Sequence, residues 1–156
     1  MSVNFIKRSE RMRNSSFYNS EGYPDPTHYY AEKNIEKKER EKLRALHQYR
    51  PIVYICSPFS GDVKANKKKA RTYSRYAVKK GYLPITPHLL FPQFLDDSDP
   101  DEREVGLFMG TVLITKCVEF WVFGETRSEG MKREIKKAKL RGIKIRYFTS
   151  DLQEVK

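Results

Sequence analysis

Ile52-Val53-Tyr54-Ile55-Cys56-Ser57-Pro58-Phe59-Ser60-Gly61-Asp62 is the stretch on which the fold turns. Its first five residues are uncharged, β-branched or aromatic, and read as a short buried strand. The next six are turn formers rich in hydroxyls. A buried strand that breaks into such a loop and then meets a helical pattern opens a β-α-β unit.

Onward from there, Val63, Ala70, Tyr73, Ala77 and Val78 recur at roughly helical spacing between Val63 and Lys80, and Gly81 stands where a C′ glycine ends a helix. Tyr82 to Pro87 reads as a second short strand whose prolines belong near its ends. Asp96-Asp97-Ser98-Asp99-Pro100-Asp101 supplies acidic caps for a helix from about Glu102 to Lys116, with apolar positions Val105, Leu107, Phe108, Val112 and Leu113. Val118 to Gly124 is the strongest strand of the chain and puts Trp121 and Phe123 in the core. Ser128 caps a helix over Glu129–Leu140, Arg141-Gly142 stops it, and Ile143 to Phe148 alternates apolar and basic residues as an edge or half-exposed strand does. Strands and helices thus alternate four times, which predicts a mostly parallel sheet with helices on both faces and right-handed crossovers. Backward from Pro51, residues 1–28 are polar, show no period and read as an arm. Tyr29 to about Gln48 reads as a mostly solvated helix held by opposite charges three and four apart. The expected organisation is an N-terminal arm and charged helix over 1–50, and one α/β domain over 51–156.

At 156 residues and 18.4 kDa the chain has the length of one domain rather than two. With 38% hydrophobic residues, 9 Phe, 10 Tyr and 1 Trp, it holds too many large apolar side chains to be wholly disordered. No uncharged apolar run approaches the ~20 residues that cross a bilayer. No apolar segment follows Lys7, Arg8 and Arg11 as it would in a secretory leader. Cys56 and Cys117 cannot build a disulfide scaffold and lie in no metal-binding spacing. The expectation is a soluble cytoplasmic protein with no membrane partner and no metal. Basic residues outnumber acidic ones 31 to 20, with 11 against 7 up to Arg50 and 20 against 13 after it. That excess favours polyanions and phosphorylated small molecules alike. Its densest clusters, Lys64–Lys69 and Lys132–Lys139, fall in helical segments, where a solvated face is the commoner role.

In an open α/β sheet the ligand crevice lies beyond the carboxyl ends of the strands, where strand order reverses. Two loops belong there. Ser57 to Asp62 offers hydroxyls, a glycine and backbone N–H groups suited to phosphate, although a plain strand-to-helix turn has the same composition. It carries neither GxxxxGK[ST] nor GxGxxG, which argues against a Walker ATPase and a typical dehydrogenase. In the second loop and helix start, Gly124 to Ile135, Ser128 can cap the helix or donate to a ligand oxygen, and Gly130 admits a ligand close to the first turn. Glu134 lies one turn after Gly130 on the same face, looking toward the helix N-terminus; taken alone, it reads more readily as a surface ion-pair partner. His88 is either a crevice ligand or a packed loop residue. Cys56 reads as a small buried thiol, with nothing adjacent to activate it.

Together, Tyr54-Ile55-Cys56-Ser57-Pro58, the basic helix with Asn66 and Ala70, Thr86-Pro87-His88, and Ser128-x-Gly130-Met131-x-x-Glu134-Ile135-x-x-Ala138 resemble the nucleoside 2-deoxyribosyltransferase superfamily, in particular its small phage- and bacterium-associated members. The resemblance spans about Pro51 to Phe148. It implies a flavodoxin-like or Rossmann-like three-layer α/β sandwich, and an N-glycosidase or deoxyribosyltransferase acting on a (deoxy)nucleoside or its 5′-monophosphate, with no cofactor. It implies Glu134 as the nucleophile, Tyr54 as the phenol beside it, and a substrate site drawn from Ser57, Pro58, Phe59, Ser60, Gly61, His88, Ser128, Gly130 and Met131. Serine rather than aspartate at position 128 resembles the members that accept a 5′-phosphate, and the family habit implies a homo-oligomer.

The chain also departs from that pattern. The aspartate that better-characterised members hold near the glutamate falls near Gly110, the acid at the start of the third strand is replaced by Val118 with Glu119 following, and the glycine after the first-strand motif is Ser57. A substitute acid would come from a group such as Asp101, Glu102 or His88. Three readings follow: the enzyme, a nucleotide-sensing module of the same fold, and a nucleic-acid binder using Lys64–Lys69, Lys132–Lys139 and the arm, with Tyr18, Tyr23, Tyr29 and Tyr30 as stacking groups.

Overall fold

The computed structural model describes residues 17–155, so Lys7, Arg8, Arg11 and the rest of the arm through Ser16 lie outside the described residues. The chain divides into two units, Met1–Tyr49 and Arg50–Lys156. In the first, the Asp25 side chain accepts the N–H of His28 and Pro26 sits in the first turn, so helix α1 (Pro26–Leu46) begins ahead of the expected Tyr29. Pairs such as Lys33–Glu36 lie along it, and none of its residues is buried.

The second unit runs β1 (Ile52–Cys56), α2 (Val63–Lys79), β2 (Leu83–Ile85), a short α3 (Pro87–Leu90) with a 3₁₀ turn over Phe91–Gln93, α4 (Pro100–Ile114), β3 (Glu119–Phe123), α5 (Glu129–Leu140), β4 (Lys144–Phe148) and β5 (Glu154–Val155). The sheet order is β2-β1-β3-β4-β5, parallel except for the last pair. This is the doubly wound, flavodoxin-like order, in which winding reverses between β1 and β3. Alternation along those strands splits the core into two layers. Val53, Ile55, Trp121 and Phe123 pack with Tyr73 and Ala77 of α2 on one face; Tyr54, Cys56, Phe120 and Val122 pack with Ile114 of α4 and Met131, Ile135 and Ala138 of α5 on the other. Each large apolar chain fully buried this way stabilises the fold by roughly 1.5–3 kcal/mol.

Several expectations are corrected. The buried stripe of α2 is Ala70, Tyr73 and Ala77, while Val63 and Val78 are exposed. Thr86-Pro87 leave the second strand and start α3, because a proline is pre-set for a first helical turn. Pro84 sits mid-strand, which is tolerated because β2 is an edge strand that need not donate on both sides. Helix α4 is capped by Asp99 and buries only Gly110 and Ile114; Val105, Leu107, Phe108 and Val112 are exposed, Leu107 on the cavity side. Strand β4 is half-exposed, as one of the two expectations had it, and is not the edge, because the short antiparallel β5 pairs with it.

Glu119, which opens β3, is buried and accepts from Trp121 Nε1 at 2.7 Å, Lys144 Nζ at 3.0 Å and Arg146 Nη1 at 3.4 Å. Burial pushes its carboxyl upward, but these donors outweigh it and hold the group below its ordinary 4.5. It sits at the amino end of β3, away from the crevice end, and ties the strands together.

Candidate active site

The loops leaving β1 and β3 meet at the point where winding reverses. Gly124 takes a φ of +96°, which favours glycine, and an added Cβ would lie 3.9 Å from Pro58 Cδ. Asn66 Nδ2 donates to the carbonyls of Phe59 (3.3 Å) and Ser60 (2.9 Å), pinning the first loop to α2, while Asp62 accepts the N–H of Ala65. Ser128 caps α5 by accepting the N–H of Met131 at 3.3 Å.

These caps and crossovers bring Tyr54 and Glu134, eighty positions apart, into contact: Tyr54 Oη donates to Glu134 Oε1 at 2.8 Å. The Tyr54 ring is stacked on Phe120 with centroids 4.9 Å apart. Burial first, then the charge and hydrogen bond of Glu134, hold the phenol well above its ordinary 10, so it remains a donor. Glu134 Oε2 is buried and has no partner, and the same is true of Ser57 Oγ. An orphaned buried polar atom costs about 1–3 kcal/mol.

A cavity of about 410 Å³ opens over Glu134, in the size range of small-molecule sites. Phe59, Ser60, His88, Ser128, Gly130 and Met131 line it with Glu134. Tyr54, Ser57, Pro58 and Gly61 do not; Tyr54 bears on the cavity through Glu134, and Gly61, at φ +90°, has open space where a side chain would go. The His88 ring stacks on Phe59 with centroids 4.9 Å apart, and burial holds its imidazole below the ordinary 6.5 against the pull of Glu134 and Asp97. The Cys56 thiol is pushed well up by burial and then by Glu134, so it stays a thiol.

Part of the wall was not anticipated. Phe91, Pro92 and Leu95 close one side, and Gly106 and Gly110 of α4 leave room on another; a Cβ on Gly110 would come within 3.4 Å of Tyr54 Oη. The Gly-x-x-x-Gly spacing inside a helical segment was the available signal, since two small residues one turn apart clear one face. Glu102, Asp97, Arg103 and Glu129 also line the cavity, whereas Asp101 does not. A smaller cleft of about 250 Å³ shares Leu107, Gly130 and Glu134 with it. Among the described residues no cluster of three or more His, Cys, Asp or Glu is placed to hold a metal ion, and no helix is long and apolar enough to cross a membrane.

Comparison with solved structures finds a 2-deoxyribosyltransferase from the psychrotolerant bacterium Bacillus psychrosaccharolyticus, with a TM-score of 0.54 and 14% identity, over 63% of this chain and 72% of that one. At that identity the likeness establishes a shared deoxyribosyltransferase-like, Rossmann-like fold. The CMP N-glycosidase BcmB of Clostridium botulinum also matches, with a TM-score of 0.42 and 20% identity over 63% of this chain and 71% of that one, a superposition too loose to bear on the fold. No curated protein matches the chain in sequence. Residues 51–148, well over half the chain, match the family model of a domain of unknown function, DUF7768, and the chain belongs to that family.

Proposed function

We propose that the protein cleaves or transfers the N-glycosidic bond of a nucleoside or nucleoside 5′-monophosphate through Glu134. The observation that carries this reading is the carboxylate of Glu134 in the cavity wall, with Oε1 oriented by Tyr54 and Oε2 buried without a partner. The Glu134 carboxylate attacks the anomeric carbon, the C–N electron pair leaves with the base, and a glycosyl ester forms on Glu134. A second base, or water entering by the adjoining cleft, then attacks the anomeric carbon and returns the carboxylate. The stacked Phe59–His88 pair, with Met131, offers a flat apolar wall to a base, and the hydroxyls of Ser60 and Ser128 face the phosphate end. The exposed Val105, Phe108 and Val112, three and four apart on α4, are covered by a second copy of the chain.

A second reading, a sensor that binds a nucleotide without turning it over, is favoured by Gly110, which presents no carboxylate beside Tyr54. One experiment separates the two. A panel of nucleosides and 5′-monophosphates is incubated with the protein, free base is followed by chromatography, and melting temperature is followed in parallel. Base release marks the enzyme; a nucleotide-dependent rise in melting temperature without free base marks the sensor.

A further inference from the structure

Helix α2 carries a feature the cavity does not use. Lys64, Lys68, Arg71, Arg75 and Lys79 recur at intervals of four, three, four and four residues, so they form one straight row of cations about 22 Å long at 1.5 Å per residue. Lys68, Arg71, Arg75 and Lys79 line a single open groove with Thr72 and Ser74, on the side away from the buried Ala70, Tyr73 and Ala77. Arg50, donating to the Val78 carbonyl at 2.9 Å, adds a cation at the far end.

The row is not an ordinary solvated face. Helix α1 also carries many cations, with Lys33, Lys37, Lys38, Arg40, Lys42 and Arg44, yet interleaves Glu32, Glu36, Glu39 and Glu41. No acidic residue occurs anywhere in α2, and among the described residues none of the five cations is in a salt bridge. Of the acids close to this helix, Asp62 is spent capping its first turn by accepting the N–H of Ala65, Asp151 and Glu125 bear on Tyr73, and Glu125 and Glu154 bear on Lys69 and Lys80, which are off the row. Like charges one turn apart destabilise a helix by a few tenths of a kcal/mol per pair, and nothing within the helix offsets that. A regularly spaced anion would.

We propose that this row docks the phosphodiester backbone of a single-stranded nucleic acid. A duplex carries its phosphates on two strands that wind around a groove, and one straight row of cations on one helix face meets only one of them. A single strand presents one row of phosphates to one row of cations. A membrane-surface helix turns its apolar face to the lipid, and that of α2 is buried. The proposal is independent of the cavity chemistry.

The test measures binding of a fluorescein-labelled oligothymidylate to the full chain by anisotropy across a salt series. Five phosphate contacts on a single strand give a slope of log affinity against log salt of about −3.5. Lys68→Gln/Arg71→Gln/Arg75→Gln should bind at least about tenfold more weakly and flatten the slope by about 2, while Lys37→Gln/Lys38→Gln/Lys42→Gln on α1, an equal charge change, should not. Circular dichroism melts confirm that both variants fold. Equal losses in the two variants, tighter binding of a duplex of the same length, or a preference for phosphatidylserine vesicles would each overturn the proposal.

Discussion

The bond between Tyr54 and Glu134 defines the site at the scale of single residues. Tyr54→Phe removes the donor that orients Glu134 without emptying the core, so base release is expected to slow by about 10- to 100-fold with the fold intact, checked by initial rates and circular dichroism. The raised phenol also makes a stability prediction. Below pH 10 folded and unfolded chains both hold the Tyr54 proton; above it the unfolded chain releases a proton the folded chain keeps, so unfolding is favoured as pH rises. Denaturant melts at pH 8 and pH 10.5 should show the wild type losing more stability than Tyr54→Phe. That Tyr54 and Glu134 would lie side by side was legible through the family resemblance, from the order of its motifs around parallel strands, while their catalytic roles are proposals. The far wall was not, because Phe91, Pro92 and Leu95 reach the cavity only through the α3 turn, which the proline-rich sequence disguised as a strand end.

At the scale of elements, β1 and β3 were readable as strands because both are short, apolar and bounded by turn formers. Helix α4 was readable to within two residues at each end, but not which of its apolar residues are buried, because periodicity shows that apolar residues share a face and leaves open what covers it. Strand β5, two residues long, carries too little pattern to be seen. Within β3, Glu119 invites a direct test. Its lowered pKa contributes stability that is present above the ordinary 4.5 and lost as pH falls through the folded value. Glu119→Gln should therefore be less stable than wild type by about 1–3 kcal/mol at neutral pH, with the gap narrowing in melts below pH 4.

Across the whole molecule, the alternation of strands and helices sets the winding order, and the winding order puts the β1 and β3 loops side by side. On the proposed reading, a second copy of the chain covers the apolar face exposed on α4 beside that site. Sedimentation velocity should give a particle heavier than one 18.4 kDa chain, and Phe108→Glu should return it to the monomer. All of the proposed chemistry rests on Glu134, and the rate of base release by Glu134→Gln relative to wild type, across the panel of nucleosides and 5′-monophosphates, tests it most directly. The expected result is a loss of at least ~10³-fold in a variant with unchanged circular dichroism; release at the wild-type rate, or no base from any substrate with either protein, would contradict the catalytic role.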